Sequence, residues 1–333
     1  MIIELKKNIS KETIESLANK HRAFHIFNED KNFLITSASV KELDNELNTH
    51  TENQWVFAND MQLSSRDFKK TTREIKLKEG LSIGGRQKNT LLIGGPCSVE
   101  SEDQIRSASE LLKDLSLSVL RGGCYKPRTS PYSFQGMGLE GLQLLSKMKE
   151  EFGHLIISEV RDATHVSEVI EHTDIIQIGA KAMYDQGILR ACAKTQKPVM
   201  IKRGFGTTLQ EFTQAAEFIL SGGNSNVILC ERGIRTFETK TRFTLDLCGV
   251  AWLQEHTNLP VILDPSHAMG YAYGVPALTK ACMAMNVEGL IIETHPTPTL
   301  AKSDASQQLD YEAFRNLYNE LQPLAECLGR QIR

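Results

Sequence analysis

Three cations fall in one short run, VLRGGCYKPRTSP, at Arg121, Lys126 and Arg128. The run holds no acid, and its prolines and glycines give it little helix propensity. A solvated charged face is usually helical and mixed in sign, so this composition points to a pre-organised site for phosphate or carboxylate. The apolar stretch SLSVL leads straight into it, which places the cations at the end of a strand.

Seven further apolar runs end in polar or ionisable groups. TLLIGG is followed by Cys97, HLIISEV carries Glu159, and DIIQIGA leads to Lys181. PVMIKRG ends in Lys202 and Arg203, and NVILCERG in Glu231 and Arg232. PVILDPSH brings Asp264 and His267, and GLIIETHP brings Glu293 and His295. Two chemical groups emerge. Cys97, His267, Glu293 and the nearby Asp304 form a sulfur, nitrogen and oxygen set suited to a divalent transition metal. Thiolate and imidazole disfavour Mg²⁺ and Ca²⁺, while Mn²⁺, Fe²⁺, Co²⁺ and Zn²⁺ remain open. Arg121, Lys126, Arg128, Lys181, Lys202 and Arg232 call for a ligand of high negative charge. Two phosphorylated substrates, or one carrying both phosphate and carboxylate, would supply it. Singly, Cys97 reads as a packed thiol and His267 as a structural histidine. The joint placement is what gives them chemical meaning.

The elements that must position these residues follow from the same runs. From residue 90 onward, eight apolar, β-branched segments alternate with helical stretches such as SEDQIRSASELLKDL, THVSEVIEH, TLQEFTQAAEFILSGG and RFTLDLCGVAWLQEH. Strands buried on both faces and alternating with helices pair in parallel. The expected fold is therefore α/β, a (β/α)8 TIM barrel over 90–333, whose active sites lie at the C-terminal ends of the strands. An open doubly wound sheet would carry a glycine-rich dinucleotide loop after its first strand, and GGPCS is not one. Residues 1–70 read as strand IIEL, helix SKETIESLANKH capped by Ser10, strands AFHIF and NFLITS, helix VKELDNELNT and strand NQWVFA. That βαββαβ order predicts a small ferredoxin-like α+β domain. A polar linker, NDMQLSSRDFKKTTRE, and a hairpin, IKLKEGLSIGG, join the two.

Bulk properties bound the function. The chain of 333 residues has a net charge of −3, with no basic excess for nucleic acid. No apolar run has the length of a membrane span, and MIIELKKNIS has no secretory h-region. Seven cysteines without framework spacing predict reduced thiols and a cytoplasmic protein.

The motifs GGPCSVES, LRGGCYKPRTSPYSFQGMGLEGL, IQIGA, PVMIKRG, VILCERGIRTFE, LPVILDPSHAMG and IIETHPTPTLAKSD resemble the 3-deoxy-D-arabino-heptulosonate 7-phosphate (DAHP) synthase family over most of 85–325. The N-terminal segment resembles the regulatory extension of one branch of that family. The resemblance implies a 3-deoxy-7-phosphoheptulonate synthase, a metal-dependent transferase. It would condense phosphoenolpyruvate with erythrose 4-phosphate in the first step of the shikimate pathway, toward the aromatic amino acids. It further implies that Cys97, His267, Glu293 and Asp304 bind the metal. Arg121, Lys126, Lys202 and Arg232 would contact phosphoenolpyruvate, and Arg128, Thr129 and Ser130 the erythrose 4-phosphate. Glu159 would lie near the reacting carbons, with Lys126 or Glu159 moving the proton of the attacking water. An aromatic amino acid effector and a homo-oligomer, with a tetramer favoured, also follow from the resemblance. The family usually carries GAR-N where this chain has GAKAM, so Lys181 stands in for an arginine. After DPSH the family often carries GRR, and this chain reads GYAYG. The alternatives are the sister enzyme making 3-deoxy-D-manno-octulosonate 8-phosphate and a non-catalytic phosphate-binding regulatory barrel.

Overall fold

The computed structural model describes residues 1–126 and 130–333. The first 55 residues form β1 (Ile2–Leu5), α1 (Lys11–Lys20), β2 (Phe24–Asn28), β3 (Lys31–Ile35), α2 (Asn45–His50) and β4 (Thr51–Trp55). The strands make one antiparallel sheet in the order β2-β3-β1-β4, the ferredoxin-like arrangement. Ser10 caps α1 by accepting from the Thr13 N–H. The β2–β3 turn is tight, with Glu29 and Asp30 both at positive φ. The second helix is shorter than VKELDNELNT suggested. Asp44 adopts an extended backbone and accepts from the Leu47 N–H, so the helix starts only at Asn45.

Both faces of this sheet are covered. Ile3, Leu5 and Leu34 pack with Ile14 and Leu17 of α1 and Leu47 of α2. On the other face, Ile2, Ile26, Phe33 and Ile35 join one apolar cluster with Leu63 and with Leu220 of the barrel. The segment 59–74, expected to be a polar linker, is instead sewn to the barrel. The Glu217 carboxylate accepts from the backbone N–H groups of Gln62, Leu63 and Ser64 and from the Ser64 hydroxyl. Phe68 stands edge-on to Phe33 at 5.8 Å and to Trp55 at 5.2 Å. Buried Arg73 donates to Asn258 Oδ1 and to the Leu63 carbonyl. The composition of the segment concealed this, because its few apolar residues are the ones that pack.

A hairpin of β5 (Glu74–Lys78) and β6 (Leu81–Gly84) then meets the barrel. The barrel strands are β7 (Asn89–Gly95), β8 (Val119–Arg121), β9 (Leu155–Val160), β10 (Ile175–Ile178), β11 (Val199–Lys202), β12 (Val227–Glu231), β13 (Val261–Leu263) and β14 (Gly289–Glu293). All pair in parallel with their neighbours, and β14 pairs with β7 to close the ring. The helices between them are α3 (Glu102–Asp114), α4 (Leu139–Phe152), α5 (Val166–His172), α6 (Gln186–Ala193), α7 (Leu209–Ser221), α8 (Leu247–His256), the short α9 (Pro265–Met269), and α10 (Val275–Ala284). A last helix, α11 (Tyr311–Cys327), leads into β15 (Gln331–Ile332), which adds to the start of β7. All eight apolar runs of the sequence are strands. Their inward residues, including Ile93, Ile157, Met200, Ile228 and Ile291, pack with Ile75, Leu81 and Ile83 of the hairpin. The hairpin thus stoppers the N-terminal end of the barrel. Among the described residues no helix is long and apolar enough to cross a membrane.

Glu217 generates a prediction. Glu217→Ala removes the acceptor of three backbone donors and costs about 2–3 kcal/mol. The expected result is faster proteolytic cutting between residues 56 and 73 and a lower unfolding midpoint. Wild-type cleavage and an unchanged midpoint would show that this carboxylate does not anchor the segment.

Candidate active site at the mouth of the barrel

The C-terminal strand ends surround a cavity of about 260 Å³. Its wall includes Lys126, Glu159, Lys181, Lys202, Arg232, His267 and Asp304, each singled out in the sequence. Closure of the ring sets Glu293 opposite Gly95, two residues before Cys97. Asp304 enters from the loop after β14, with its own backbone at a φ of 47°, a conformation that aspartate tolerates better than most residues. Ligand atoms of Cys97, Glu293 and Asp304 all lie within 4.8 Å of one another. His267 Nε2 joins them, 3.4 Å from Glu293 Oε1 and 3.8 Å from Asp304 Oδ2.

Asp264 explains how His267 is aimed. It caps α9, with Oδ1 accepting from the His267 N–H. Its Oδ2 lies 2.8 Å from His267 Nδ1 and accepts from Lys202 Nζ at 2.6 Å. One carboxylate therefore fixes the ring and leaves Nε2 facing the cluster, as metal-ligating histidines require. Burial works against the Asp264 charge, but His267 and Lys202 outweigh it and hold its carboxyl well below the usual range. Burial raises Glu293 in the same way, and His267 and Arg121 more than reverse it. Burial and the neighbouring Glu293 charge push the Cys97 thiol up to about 12. Lys126 and Arg121 oppose this without reversing it, and a metal ion on the sulfur would drive loss of the proton.

The cations differ in how they are held. Arg121 is ion-paired with Glu293, and Lys202 with Asp264. Lys126 Nζ sits 3.2 Å from Cys97 Sγ and 3.1 Å from the Cys97 carbonyl. Arg232 is buried, and its guanidinium carbon lies 4.1 Å from the ring centre of Phe243 and 5.5 Å from that of Phe205. Burial lowers its pKa, with Asp264 opposing. Glu159 takes a hydrogen bond from Gln177 and needs a glycine beside it. A Cβ on Gly179 would stand 2.1 Å from Glu159 Oε1. Lys181 is exposed on the rim and lines the cavity.

Some strand-end residues serve elsewhere. Arg203 bridges Glu231 and Asp246, both at 2.9 Å, and braces the barrel wall. His295 faces Glu100 at 3.7 Å, behind the mouth. Ser130 does not line the cavity, and its hydroxyl accepts from the Tyr132 N–H. Arg128 and Thr129 lie outside the described residues. The sequence reading passed over Arg242, Gln307, Phe205 and Phe243. Arg242 reaches the cavity wall from the loop after β12, 3.3 Å from Asp304 Oδ2, and donates to Gln307. Gln307 in turn donates to Glu293 Oε2. The signal for Arg242 was its position downstream of a cationic strand end, but no local spacing tied it to the loop carrying Asp304.

The donors fit a divalent transition metal, since a thiol, an imidazole aimed by a carboxylate and two carboxylates converge from four strand ends and loops. Beside them, the cations suit a small, doubly anionic ligand. Such a site can polarise a carbonyl and hold a phosphate at once.

Comparisons with known proteins bear on the family and the fold. Residues 70–328 match the model of the DAHP synthetase I family. A phospho-2-dehydro-3-deoxyheptonate aldolase of Thermotoga maritima is 44% identical over 241 residues, covering 72% of this chain and 71% of that protein. A 2-dehydro-3-deoxyphosphooctonate aldolase of Protochlamydia amoebophila is 31% identical over 277 residues, covering 78% of this chain and 99% of that one. The crystal structure of a T. maritima phospho-2-dehydro-3-deoxyheptonate aldolase (DAHP synthase) superposes with a TM-score of 0.81 at 35% identity, covering 100% of this chain and 99% of that one. A truncated form of the 3-deoxy-D-arabino-heptulosonate 7-phosphate synthase from the same organism covers 81% of this chain and 98% of its own, with a TM-score of 0.76 at 38% identity. With the family model spanning the whole barrel, the chain belongs to the DAHP synthetase I family.

Proposed function

We propose that the barrel condenses phosphoenolpyruvate with erythrose 4-phosphate to give DAHP and phosphate, the step that opens the shikimate pathway. The observation that carries this reading is the convergence of cations and a mixed sulfur, nitrogen and oxygen set at one mouth of the barrel, in a chain of the DAHP synthetase I family. Arg121, Lys126, Lys202 and Arg232 hold the phosphate and carboxylate of phosphoenolpyruvate, with Lys181 at the rim. Arg128 and Thr129 take the phosphate of the aldose, with Ser130 next to them in the chain. The enol carbon attacks the aldehyde carbon, water adds to the adjacent carbon, and phosphate leaves with C–O cleavage.

Cys97, His267, Glu293 and Asp304 would hold a divalent ion, Mn²⁺, Fe²⁺, Co²⁺ or Zn²⁺, which supplies Lewis acidity toward the aldehyde oxygen. The cationic Lys126 has no lone pair to accept a proton, so Glu159 takes the proton of the attacking water. Lys126 then donates toward the departing phosphate. The seven free thiols fit a reducing cytoplasm. Residues 1–55 would carry the response to an aromatic amino acid such as tyrosine or phenylalanine, within a homo-oligomer, with a tetramer favoured. Phe24 and Phe27, each 62% exposed on the edge strand β2, support contact with another copy.

Four measurements test these assignments. Phosphate release from phosphoenolpyruvate should be fast with erythrose 4-phosphate and slow with a five-carbon aldose phosphate. The reverse order would favour the octulosonate reaction. Chelation should abolish turnover and Mn²⁺ or Co²⁺ restore it, whereas Cys97→Ala should respond to no divalent ion. Full activity in excess chelator would sink the metal assignment. Lys181→Arg should lower the KM for phosphoenolpyruvate by up to roughly tenfold, since a planar fork grips phosphate better than one ammonium. If Lys181→Ala leaves kcat and KM unchanged, Lys181 plays no part in binding. Deleting residues 1–58, which spares the anchored segment at Gln62–Arg73, should leave turnover that ignores tyrosine and phenylalanine. Inhibition as strong as in the whole chain would remove that role.

A further inference from the structure

We propose that Phe243, backed by Phe205, is a positioning residue that holds the Arg232 guanidinium at the cavity wall as a cation outside any ion pair among the described residues. Resting on the reaction proposed above, this makes the anion of phosphoenolpyruvate the partner that completes Arg232.

The buried cations of the mouth are held in different ways, Lys126 by the Cys97 carbonyl and sulfur and three others by carboxylates. Arg121 is neutralised by Glu293, Lys202 by Asp264, and Arg203 by Glu231 and Asp246. Arg232 is only 3% exposed, yet among the described residues it forms no ion pair, and its Nη1 is buried without a hydrogen-bond partner. Something other than a carboxylate must fix it. The two rings do so. They stack on each other with centres 5.3 Å apart and planes 15° apart, and Arg232 lies over the face of Phe243. A ring face attracts a guanidinium through its quadrupole but cancels none of its charge and occupies none of its N–H donors. An acid at either position would fix the arginine and also neutralise it. The aromatic pair leaves the fork free for an incoming anion.

The fold holds Phe243 in place. Ile234 and Thr244 form an antiparallel bridge that pinches the loop after β12. The Phe243 N–H donates to the Ala268 carbonyl at the end of α9. At Gly233 a Cβ would stand 2.6 Å from the Phe243 Cβ, so the chain passes close beneath the ring. The ring is therefore tied to the elements that carry Arg232 and His267.

The test compares Phe243→Leu with Phe243→Tyr, each alone and with Arg232→Met, using kinetics and titration of the whole enzyme. Phe243→Leu should raise the KM for phosphoenolpyruvate and the dissociation constant for inorganic phosphate about fivefold. It should leave kcat within about twofold and the KM for erythrose 4-phosphate unchanged. Phe243→Tyr, which keeps the ring, should match the wild type. With Arg232→Met in place, Phe243→Leu should add little, because the cycle then lacks the cation. Equal behaviour of the Leu and Tyr variants, or an undiminished effect beside Arg232→Met, would overturn the proposal. If Phe243→Leu does not fold, Phe243→Met at similar volume gives the same reading. Should the wild type turn over neither aldose phosphate, the reaction assignment fails. The phosphate titration would still decide the role of Phe243.

Discussion

Pairing of β14 with β7 is the constraint on which the site depends. Five residue pairs, from Gly289 with Leu91 to Glu293 with Gly95, turn an open sheet into a ring. Without closure, the first and last strands would be edges, and Cys97 would be separated from Glu293 by the width of eight strands. With it, residues almost two hundred positions apart in sequence share ligand-range contacts. Parallel strands make this productive, because every strand ends on the same side. The loop after β14 then has only a short distance to cover before Asp304 meets Cys97.

Burying so much charge at one rim is costly unless each ion has a partner. The structure meets this with shared carboxylates. Asp264 serves Lys202 and His267 together, and Glu293 serves Arg121 while standing in the donor cluster. Gln307 and Arg242 link Glu293 to Asp304 from behind. The result is a rigid polar network whose members cannot shift singly. Such a network stores its electrostatic order before any substrate arrives.

How far the sequence revealed this depends on the range of the interaction concerned. The barrel was legible because strands buried on both faces write continuous apolar runs, and each run of the reading became a strand. The strand-end residues were legible for the same reason, and parallel topology alone brings Cys97, Glu159, Lys202, His267 and Glu293 together. Long-range docking was not legible. The segment 59–74 looks polar, yet Leu63, Phe68 and the backbone of Gln62–Ser64 bind it to α7 and the sheet. Arg203, Glu231 and His295 share the strand-end position, but small differences in direction turn them into bracing pairs. Arg242 and Phe243 lie far along a loop, where the bridge at Ile234 and Thr244 and backbone bonds to Ala268 and Met269 aim them. The helix at 45–50 was overextended because Asp44, an apparent helix residue, is a cap.

The hairpin of β5 and β6 has a consequence for traffic. Ile75, Leu81 and Ile83 seal the far end, so the barrel is a blind well with one opening. Substrates, water and products must all pass the same rim, and whatever lies deepest is enclosed by what arrives after it. Three aliphatic side chains at the bottom, continuous with the packed core above them, thus leave the rim as the face for exchange with solvent.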